Sequence, residues 1–270
     1  MTESSRPGAN ALSDSAKTAL GWAHTARFLT TASQLVHLPE GDLGEIAFVG
    51  RSNAGKSTAI NTLAQRRQLA FASKTPGRTQ HINLFAMGPK DAPDTYLADL
   101  PGYGFASVER SAKLRWQKVM ADYLEVRRNL HGVVLMVDSR LGFTPLDKQL
   151  LEFIAPRVGT GEVKLLVLLT KADKLNKREQ AASLASAQEV LADLATDASD
   201  LGMLLFSGPK QVGVADLAET LYGWTHAHNA AAAAAVAAVT TGDVAGDTTA
   251  SPAAAATDLP ADPAEPLSPV

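Results

Sequence analysis

One segment has the residue types and spacing of a phosphate-binding loop: GRSNAGKS, at residues 50–57. It follows the pattern GxxxxGK(S/T) and comes directly after an apolar run, residues 45–49, that predicts a buried strand. Glycines let the backbone curl so that N–H groups face phosphate oxygens, and a helix that begins there adds the positive end of its dipole. Lys56 would reach the β- and γ-phosphates, and the hydroxyl of Ser57 would bind Mg²⁺. The alternative is an ordinary glycine-rich turn, which the strand before it and the helical pattern after it disfavour.

A second motif, DLPG at residues 99–102, follows the predicted strand 96–98 and has the pattern DxxG. In a parallel sheet, ligand groups come from loops at the carboxyl ends of the strands. Asp99 is therefore placed to contact Mg²⁺ through water, and the N–H of Gly102 to sense a γ-phosphate. DxxG alone is common by chance, so its weight comes from its position after a strand downstream of Lys56.

Two motifs later in the chain suit a guanine base: TKAD at residues 170–173 and FSG at residues 206–208. The carboxylate of Asp173 can accept hydrogen bonds from N1–H and from the exocyclic amine of guanine, a pair that adenine cannot supply. The aliphatic stem of Lys171 can lie over the base, and backbone amides of the FSG segment can contact the guanine O6. The motifs therefore predict a GTP-binding protein. An ATP-using P-loop enzyme is a weaker alternative, against which Asp173 argues.

The polar segment SKTPGRTQ, residues 73–80, lacks apolar periodicity and lies between the predicted P-loop helix and the next strand. Such a loop can be a switch that a γ-phosphate and Mg²⁺ order. Thr79 would be the second hydroxyl ligand of the metal. The alternative is an ordinary surface loop.

Composition indicates a globular protein without disulfides. The chain has 270 residues, of which 46% are hydrophobic and 20% charged, and it has no cysteine. No signal-peptide pattern opens the sequence, and no apolar run approaches the roughly 20 residues that a membrane helix needs. We expect a cytoplasmic protein. The six histidines show no ligand spacing, so no transition-metal site is predicted.

Three segments are predicted along the chain. Residues 1–21 are expected to be disordered, residues 22–228 to form one GTP-binding domain, and residues 229–270 to form a disordered, acidic Ala/Pro-rich tail, whose first alanines can extend the last helix. The tail carries five acidic residues and no Lys or Arg. Because the formal net charge is −3 and residues 1–21 sum to zero, the domain itself is mildly basic, which is compatible with RNA contact.

The domain alternates strand and helix patterns. Strands are predicted at 46–49, 82–86, 96–98, 133–137, 165–169 and 203–206, and helices at 57–64, 107–128, 145–154, 177–196 and 214–226. The second and third strands have turn residues and no helix between them, which predicts an antiparallel hairpin. The fold class is therefore α/β, a P-loop GTPase fold with a mostly parallel six-stranded sheet, one antiparallel edge hairpin and helices on both faces.

The motifs GRSNAGKS, KTPGRTQ, DLPGYGFA and TKAD, in this order and after ARFLTTASQLVHLP at residues 26–39, resemble the EngB family of bacterial GTPases, also called YihA or YsxC. The resemblance covers about residues 22–228. It implies a cytoplasmic, Mg²⁺-dependent GTPase that acts in assembly of the large ribosomal subunit and is needed for normal cell division and septation. Thr170, where other GTPases have Asn, is the family's own variation. The chain departs from the family at Gly208-Pro209 and in its long tail.

The resemblance also implies the site residues. Ser57 and Thr79 would bind Mg²⁺, and Lys56, Thr79 and Asn53 would take part in hydrolysis. The nucleotide contacts carried over from the family are Gly50, Arg51, Ser52, Asn53, Ala54, Gly55, Lys56, Ser57, Gly77, Arg78, Thr79, Gln80, His81, Asp99, Leu100, Pro101, Gly102, Thr170, Lys171, Ala172, Asp173, Phe206, Ser207 and Gly208.

Slow intrinsic hydrolysis is expected, because Tyr103 follows DxxG where a Ras-type GTPase has the Gln that orients the attacking water. Assistance could come from K⁺ held beside the phosphates with the help of Asn53, or from a partner that completes the site. The alternative for Asn53 is a residue that only suits the loop geometry.

The predicted helix 107–128 is the candidate partner surface. It interleaves Trp116 and Tyr123 with six basic residues, a mixture that suits rRNA phosphates and bases. The alternative is a solvated helix whose aromatic side chains face the core. Two functions stay open: a GTP-controlled switch on the large ribosomal subunit or its precursor, and a binding module whose hydrolysis is negligible. A monomer is expected.

Overall fold

A seven-stranded sheet forms the centre of the computed structural model, which describes residues 12–70, 81–104 and 119–242. Its strands are β1 (Arg27–Ala32), β2 (Glu45–Gly50), β3 (Ile82–Met87), β4 (Thr95–Asp99), β5 (Leu130–Asp138), β6 (Lys164–Thr170) and β7 (Leu201–Leu205). Their order across the sheet is β1-β3-β4-β2-β5-β6-β7. Pairing is parallel from β4 to β7, whereas β3 is antiparallel to both β4 and β1. The predicted mostly parallel sheet and its antiparallel hairpin are confirmed.

The sheet has one strand more than predicted, β1, which lies at the edge beyond the hairpin. Only Ala32 of this strand is buried, and Phe28 and Leu29 are exposed. An edge strand pairs on one side only, so its sequence need not carry the continuous apolar run that marks the central strands. That is why residues 27–32 carried no strand signal.

Helices cover both faces of the sheet, as predicted. They are α1 (Asp14–Ala23), α2 (Lys56–Leu63), α3 over residues 119–126, α4 (Pro145–Gly159), α5 (Lys177–Ala192) and α6 (Val214–Gly242). Alternate side chains of a strand face opposite sides. Val134 and Met136 of β5 belong to the core that includes α1, α2 and α6, whereas Val133 and Leu135 belong to the core that includes α3, α4 and α5. None of the described helices is both long and apolar enough to span a membrane.

α4 and α5, which pack on the same face of the sheet, both begin at a capping motif. Thr144 and Asp147 form a reciprocal capping box at the start of α4, and Pro145 occupies its first turn. Asn176 and Glu179 form the same arrangement at the start of α5. Such caps satisfy N–H groups that have no partner within the helix, and they fix where each helix begins relative to the sheet.

The segments predicted to be disordered are partly helical. Residues 14–21 belong to α1, which begins at a Ser13 cap and buries Ala16, Ala19 and Trp22. The disorder prediction for residues 1–21 is wrong there, because small alanines pack closely on the core without an obvious apolar pattern. At the other end α6 includes the first alanines, as expected, but continues to Gly242. Alanine has the highest helix propensity, which allows a helix without a large apolar face.

The chain divides into two units, Met1–Ala231 and Ala232–Val270. The first contains the whole sheet. Of the second, the structure describes only the last part of α6. The predicted switch segment 73–80 lies outside the described residues, and so does the rest of the predicted tail.

A buried histidine lies on β5 away from the predicted site. His131 is 5% exposed, and its ring stacks on that of His228 from α6 with centroids 4.4 Å apart. Neither ring nitrogen has a hydrogen bond of good geometry among the described residues, although a contact with the Asn129 backbone opposes the lowering of the His131 pKa. Burial, with His228 and Lys164 nearby, lowers the pKa of His131 to about 3, and burial also lowers the pKa of His228.

We therefore expect the free energy of unfolding to fall as the pH drops. An unfolded histidine titrates near pH 6.5, so between about pH 6.5 and pH 3 the unfolded chain binds a proton that the folded chain does not. The expected loss is about 2 kcal/mol between pH 7 and pH 5, measured by urea unfolding. His131→Leu should flatten this dependence, whereas His37→Gln, at an exposed position, should leave it unchanged. An unchanged slope in His131→Leu would contradict the assignment.

Candidate nucleotide-binding site

The loop between β2 and α2 has the close packing that its glycines predict. A Cβ on Gly50 would lie 2.7 Å from Cβ of Met136 on β5, so no larger residue fits there. Gly55 has φ 104° and caps α2, and Asn53 has φ 66°. Asparagine tolerates this left-handed conformation better than most residues. The first N–H groups of α2 lack partners within the helix, so the loop presents donors where anionic oxygens would bind.

Lys56 and Asp99 form a buried ion pair at the centre of the site. Lys56 is 9% exposed and Asp99 1% exposed. The pair joins the first residue of α2 to the last residue of β4, which adjoins β2 in the sheet. Each charge is removed from water and depends on the other.

The DLPG loop is hydrogen-bonded directly to the P-loop. Ser52 N–H donates to the Tyr103 carbonyl at 2.8 Å, and Tyr103 N–H donates to the Gly50 carbonyl at 3.2 Å. Gly102 lies so close that a Cβ there would be 3.0 Å from the Ser52 nitrogen. A larger residue would force the Ser52 backbone to move by a few tenths of an ångström, so glycine suits this position, which is where the sequence predicts a γ-phosphate sensor.

The Tyr103 side chain contacts α4. It is 4% exposed, and its hydroxyl donates to Asp147 Oδ1 of α4 at 2.6 Å. Burial, and then the charge of Asp147, raises the pKa of Tyr103 well above its ordinary value. The other carboxylate oxygen of Asp147 accepts from Thr144 in the capping box. Tyr103 is therefore a structural link between the DLPG loop and α4.

The two motifs predicted to read a base lie side by side. Ser207 Oγ donates to Asp173 Oδ1 at 2.6 Å, and Ala172 N–H donates to the Phe206 carbonyl at 3.1 Å. The hydrogen bond from Ser207, followed by Lys174, lowers the pKa of Asp173. Asp173 is therefore an ionised acceptor at neutral pH. The Phe206 side chain itself lies in the core.

Two residues of TKAD also donate hydrogen bonds to the backbone of the P-loop. Thr170 Oγ1 donates to the Ala54 carbonyl at 2.5 Å, and Lys171 Nζ donates to the Asn53 carbonyl at 2.7 Å. Two consecutive P-loop carbonyls are thus bound by two consecutive residues of β6 and its loop. The base-reading motif and the phosphate-binding loop form one hydrogen-bonded unit.

A charged cluster that no sequence motif predicts lies beside this unit. Asp138, the last residue of β5, is 8% exposed in its side chain and pairs with Lys171 at 2.8 Å and with Arg140 at 2.7 Å. Burial alone would raise its pKa, but hydrogen bonds from Arg140 and Lys171 outweigh this and lower it below the ordinary range. The missed signal is its position: Asp138 ends a central strand, as Asp99 and Thr170 do.

The remaining predicted site residues differ in burial, and some lie outside the described residues. Leu100, Pro101 and Ala172 are buried in the motif loops, Gly208 follows Ser207, and Arg51 and Ser57 flank the loop half-buried. A Cβ on Gly208 would lie 2.8 Å from side-chain atoms of α2, which places FSG against the P-loop helix. His81 is exposed just before β3. Gly77, Arg78, Thr79 and Gln80 lie outside the described residues.

The donors present suit a Mg²⁺–phosphate group. Ser57 supplies a hydroxyl at the start of α2 and Asp99 a carboxylate beside Lys56, and oxygen is the ligand that Mg²⁺ prefers. A Cβ on Gly102 would crowd the backbone of Arg51 and Ser52, so glycine keeps the DLPG loop close to the P-loop. The second predicted ligand, Thr79, lies outside the described residues.

The predicted helix 107–128, the candidate partner surface, is described only in part. Its described part, α3 over 119–126, ends before Arg127, which forms a bidentate ion pair with the buried Glu45. Tyr123 is fully buried and donates to the same carboxylate. These two groups stabilise the start of β2, and the burial of Tyr123 agrees with the alternative in which the aromatic side chains face the core. Arg128 is exposed, and residues 107–118 lie outside the described part of the chain.

A glycine loop between a strand and a helix, with acidic and polar groups at the ends of neighbouring parallel strands, defines a P-loop GTPase. Residues 45–171 match the family model described as a 50S ribosome-binding GTPase.

Relatives place the chain more narrowly. It is 56% identical over 230 residues to a probable GTP-binding protein EngB of Polaromonas sp., which covers 84% of this chain and 91% of that protein. It is 58% identical over 207 residues to the protein of the same description in Acidovorax ebreus, covering 77% and 91%. A crystal structure of a probable GTP-binding protein engB, 22% identical, has the same fold with a TM-score of 0.51 over 68% of this chain and 99% of that chain. The chain belongs to the EngB family of GTP-binding proteins, and it binds guanine nucleotides and hydrolyses GTP to GDP and phosphate.

Proposed function

We propose that this GTPase is a cytoplasmic switch that binds the large ribosomal subunit or its precursor, through rRNA and ribosomal proteins, in the GTP state. It acts in assembly of that subunit, and it is needed for normal cell division and septation. The observation that carries the ribosomal part is the match of residues 45–171 to the ribosome-binding GTPase family. The mildly basic domain is consistent with an RNA partner.

The nucleotide site of this switch consists of the P-loop, the DLPG loop, TKAD and FSG. Supporting this are the hydrogen bonds that join the DLPG loop and TKAD to the P-loop. Residues 77–81 complete it, and Ser57 and Thr79 hold Mg²⁺. The metal would neutralise charge on the phosphates during hydrolysis, and Lys56 would bind the β- and γ-phosphates.

Intrinsic hydrolysis is slow and is stimulated by K⁺ or by the ribosomal partner. Support comes from Tyr103, which occupies the position of the water-orienting Gln but donates its hydroxyl to Asp147. Support for K⁺ comes from Asn53, whose side chain is exposed on the P-loop while its carbonyl is bound by Lys171.

Co-sedimentation with 50S particles tests the switch. We expect the protein loaded with a non-hydrolysable GTP analogue to bind at least about tenfold more tightly than the GDP form, since only a differential affinity shifts a two-state equilibrium. GTP turnover with 50S particles, compared in KCl and NaCl, reports the stimulation.

The matched control is Asp173→Asn, assayed with guanine and then with xanthine nucleotides. Guanine nucleotides should no longer control sedimentation of this variant, whereas xanthine nucleotides should. Equal binding of the GDP and GTP forms would overturn the switch. Equal binding together with negligible turnover would favour a binding module whose nucleotide is structural.

A further inference from the structure

Lys171 is held at its far end by two acceptors. Its ammonium donates to the Asn53 carbonyl at 2.7 Å and to Asp138 Oδ2 at 2.8 Å. The residue itself has φ 59°, a left-handed conformation that is uncommon for lysine. The side chain therefore crosses from the TKAD loop to the P-loop in one defined direction.

Asp138 is built to hold that ammonium. Its carboxylate is 8% exposed and accepts four hydrogen bonds, three from Arg140 and one from Lys171. Arg140 closes one side with its backbone N–H, Nε and a terminal nitrogen. The remaining acceptor position points at Lys171, so the carboxylate has one orientation and one further partner.

The position of Asp138 in the sheet explains why its charge lies between the P-loop and the TKAD loop. Asp138 ends β5, which lies between β2, leading to the P-loop, and β6, leading to TKAD. Among the described strands, β5 is the one that adjoins both β2 and β6. Asp138, Arg140, Asn53 and Lys171 line one cavity of about 200 Å³ beside the P-loop.

We propose that Asp138 is a positioning residue for guanine-nucleotide binding: it fixes the Lys171 ammonium against the Asn53 carbonyl, so that the lysine stem forms the surface on which the base packs. Arg140 orients the carboxylate. The inference rests on the proposed nucleotide site and is independent of the ribosomal role.

Asp138 acts by restricting the conformations of the Lys171 side chain before the nucleotide binds. A lysine side chain has several rotatable bonds, and its ordering costs entropy when a ligand needs it in one conformation. Because Asp138 imposes that conformation before the ligand arrives, the nucleotide does not have to order the side chain. Charge-assisted hydrogen bonds are strong enough for this purpose.

A double-mutant cycle on the full chain tests the positioning role of Asp138, with the dissociation rate of a fluorescent GDP as the readout. Asp138→Asn keeps the shape and removes the charge, and we expect dissociation to become about tenfold faster. Lys171→Met, which removes the ammonium and keeps the stem, should have an effect of the same order. The double variant should dissociate no faster than Lys171→Met alone, because Asp138 acts only through Lys171.

One control separates positioning from folding. Glu162→Gln removes a remote exposed partner of Arg157 and should leave dissociation unchanged. Should Asp138→Asn fail to fold, Asp138→Ser, which leaves room for a water, carries the same cycle.

If the increases in dissociation rate caused by the two single substitutions multiply in the double variant, the proposal is overturned. Asp138 would then stabilise the fold and would not act through Lys171. An Asp138→Asn dissociation rate equal to that of the wild type would also overturn the proposal. Failure of the site itself is distinguishable: in that case Lys171→Met also dissociates at the wild-type rate.

Discussion

Asp173→Asn is expected to weaken GTP and GDP binding by about 1,000-fold and to create binding of xanthosine triphosphate. Ionised Asp173 is an acceptor only, which matches the two donors on the guanine edge. In the variant, Ser207 would keep its bond to the side-chain oxygen, as it does with Asp173 Oδ1. The amide NH₂ is then turned towards the base, where it repels the guanine donors and pairs with the additional carbonyl of xanthine.

Isothermal titration with GTP, ATP and xanthosine triphosphate measures this exchange. Asp197→Asn, at an exposed position, is the matched control and should bind GTP as the wild type does. If Asp173→Asn kept GTP affinity within about threefold, Asp173 would not be the residue that reads the base.

Lys56→Met is expected to abolish nucleotide binding and also to destabilise the nucleotide-free protein by about 3–5 kcal/mol. The second effect follows because Asp99, 1% exposed, would be left buried without its partner. A phosphate-binding lysine with no other role would show only the first effect.

The double variant Lys56→Met with Asp99→Asn separates the two effects. Without a buried charge on either side, the free energy of unfolding should return to within about 2 kcal/mol of the wild type, while nucleotide binding stays lost. Urea unfolding of the nucleotide-free proteins measures the first quantity and titration with GDP the second. Equal instability of the single and double variants would show that the ion pair is not what the mutation breaks.

The central strands could be predicted from the sequence because they are buried on both faces and read as continuous apolar runs. β1 and α1 could not. β1 pairs on one side only and exposes Phe28, and α1 packs through small alanines that composition alone assigns equally well to a mobile terminus. The length of α6 depends on alanine propensity, which the apolar pattern does not register.

The candidate site also has parts that the sequence predicts and parts that it does not. Its contiguous motifs are visible because each is a short run after a strand. The contacts between the motifs are not, because Thr170 and Ala54 are distant in the chain and meet only when β6 and β2 are placed on either side of β5. Asp138 and Asp147 have no motif of their own. Each is explained by a partner, Lys171 or Tyr103, that only the fold supplies.

The bond between Tyr103 and Asp147 has a consequence for how the site could signal. Tyr103 is anchored on one side to the P-loop backbone and on the other to the capping box of α4. Gly102, next to it, therefore has little room to shift unless the first turn of α4 shifts as well. Local opening of that turn should then depend on which nucleotide is bound, and the amide hydrogen exchange of Lys148, which donates to the Thr144 carbonyl, would report it. If so, α4, which contributes no residue to the proposed nucleotide contacts, would be an element whose stability depends on the γ-phosphate.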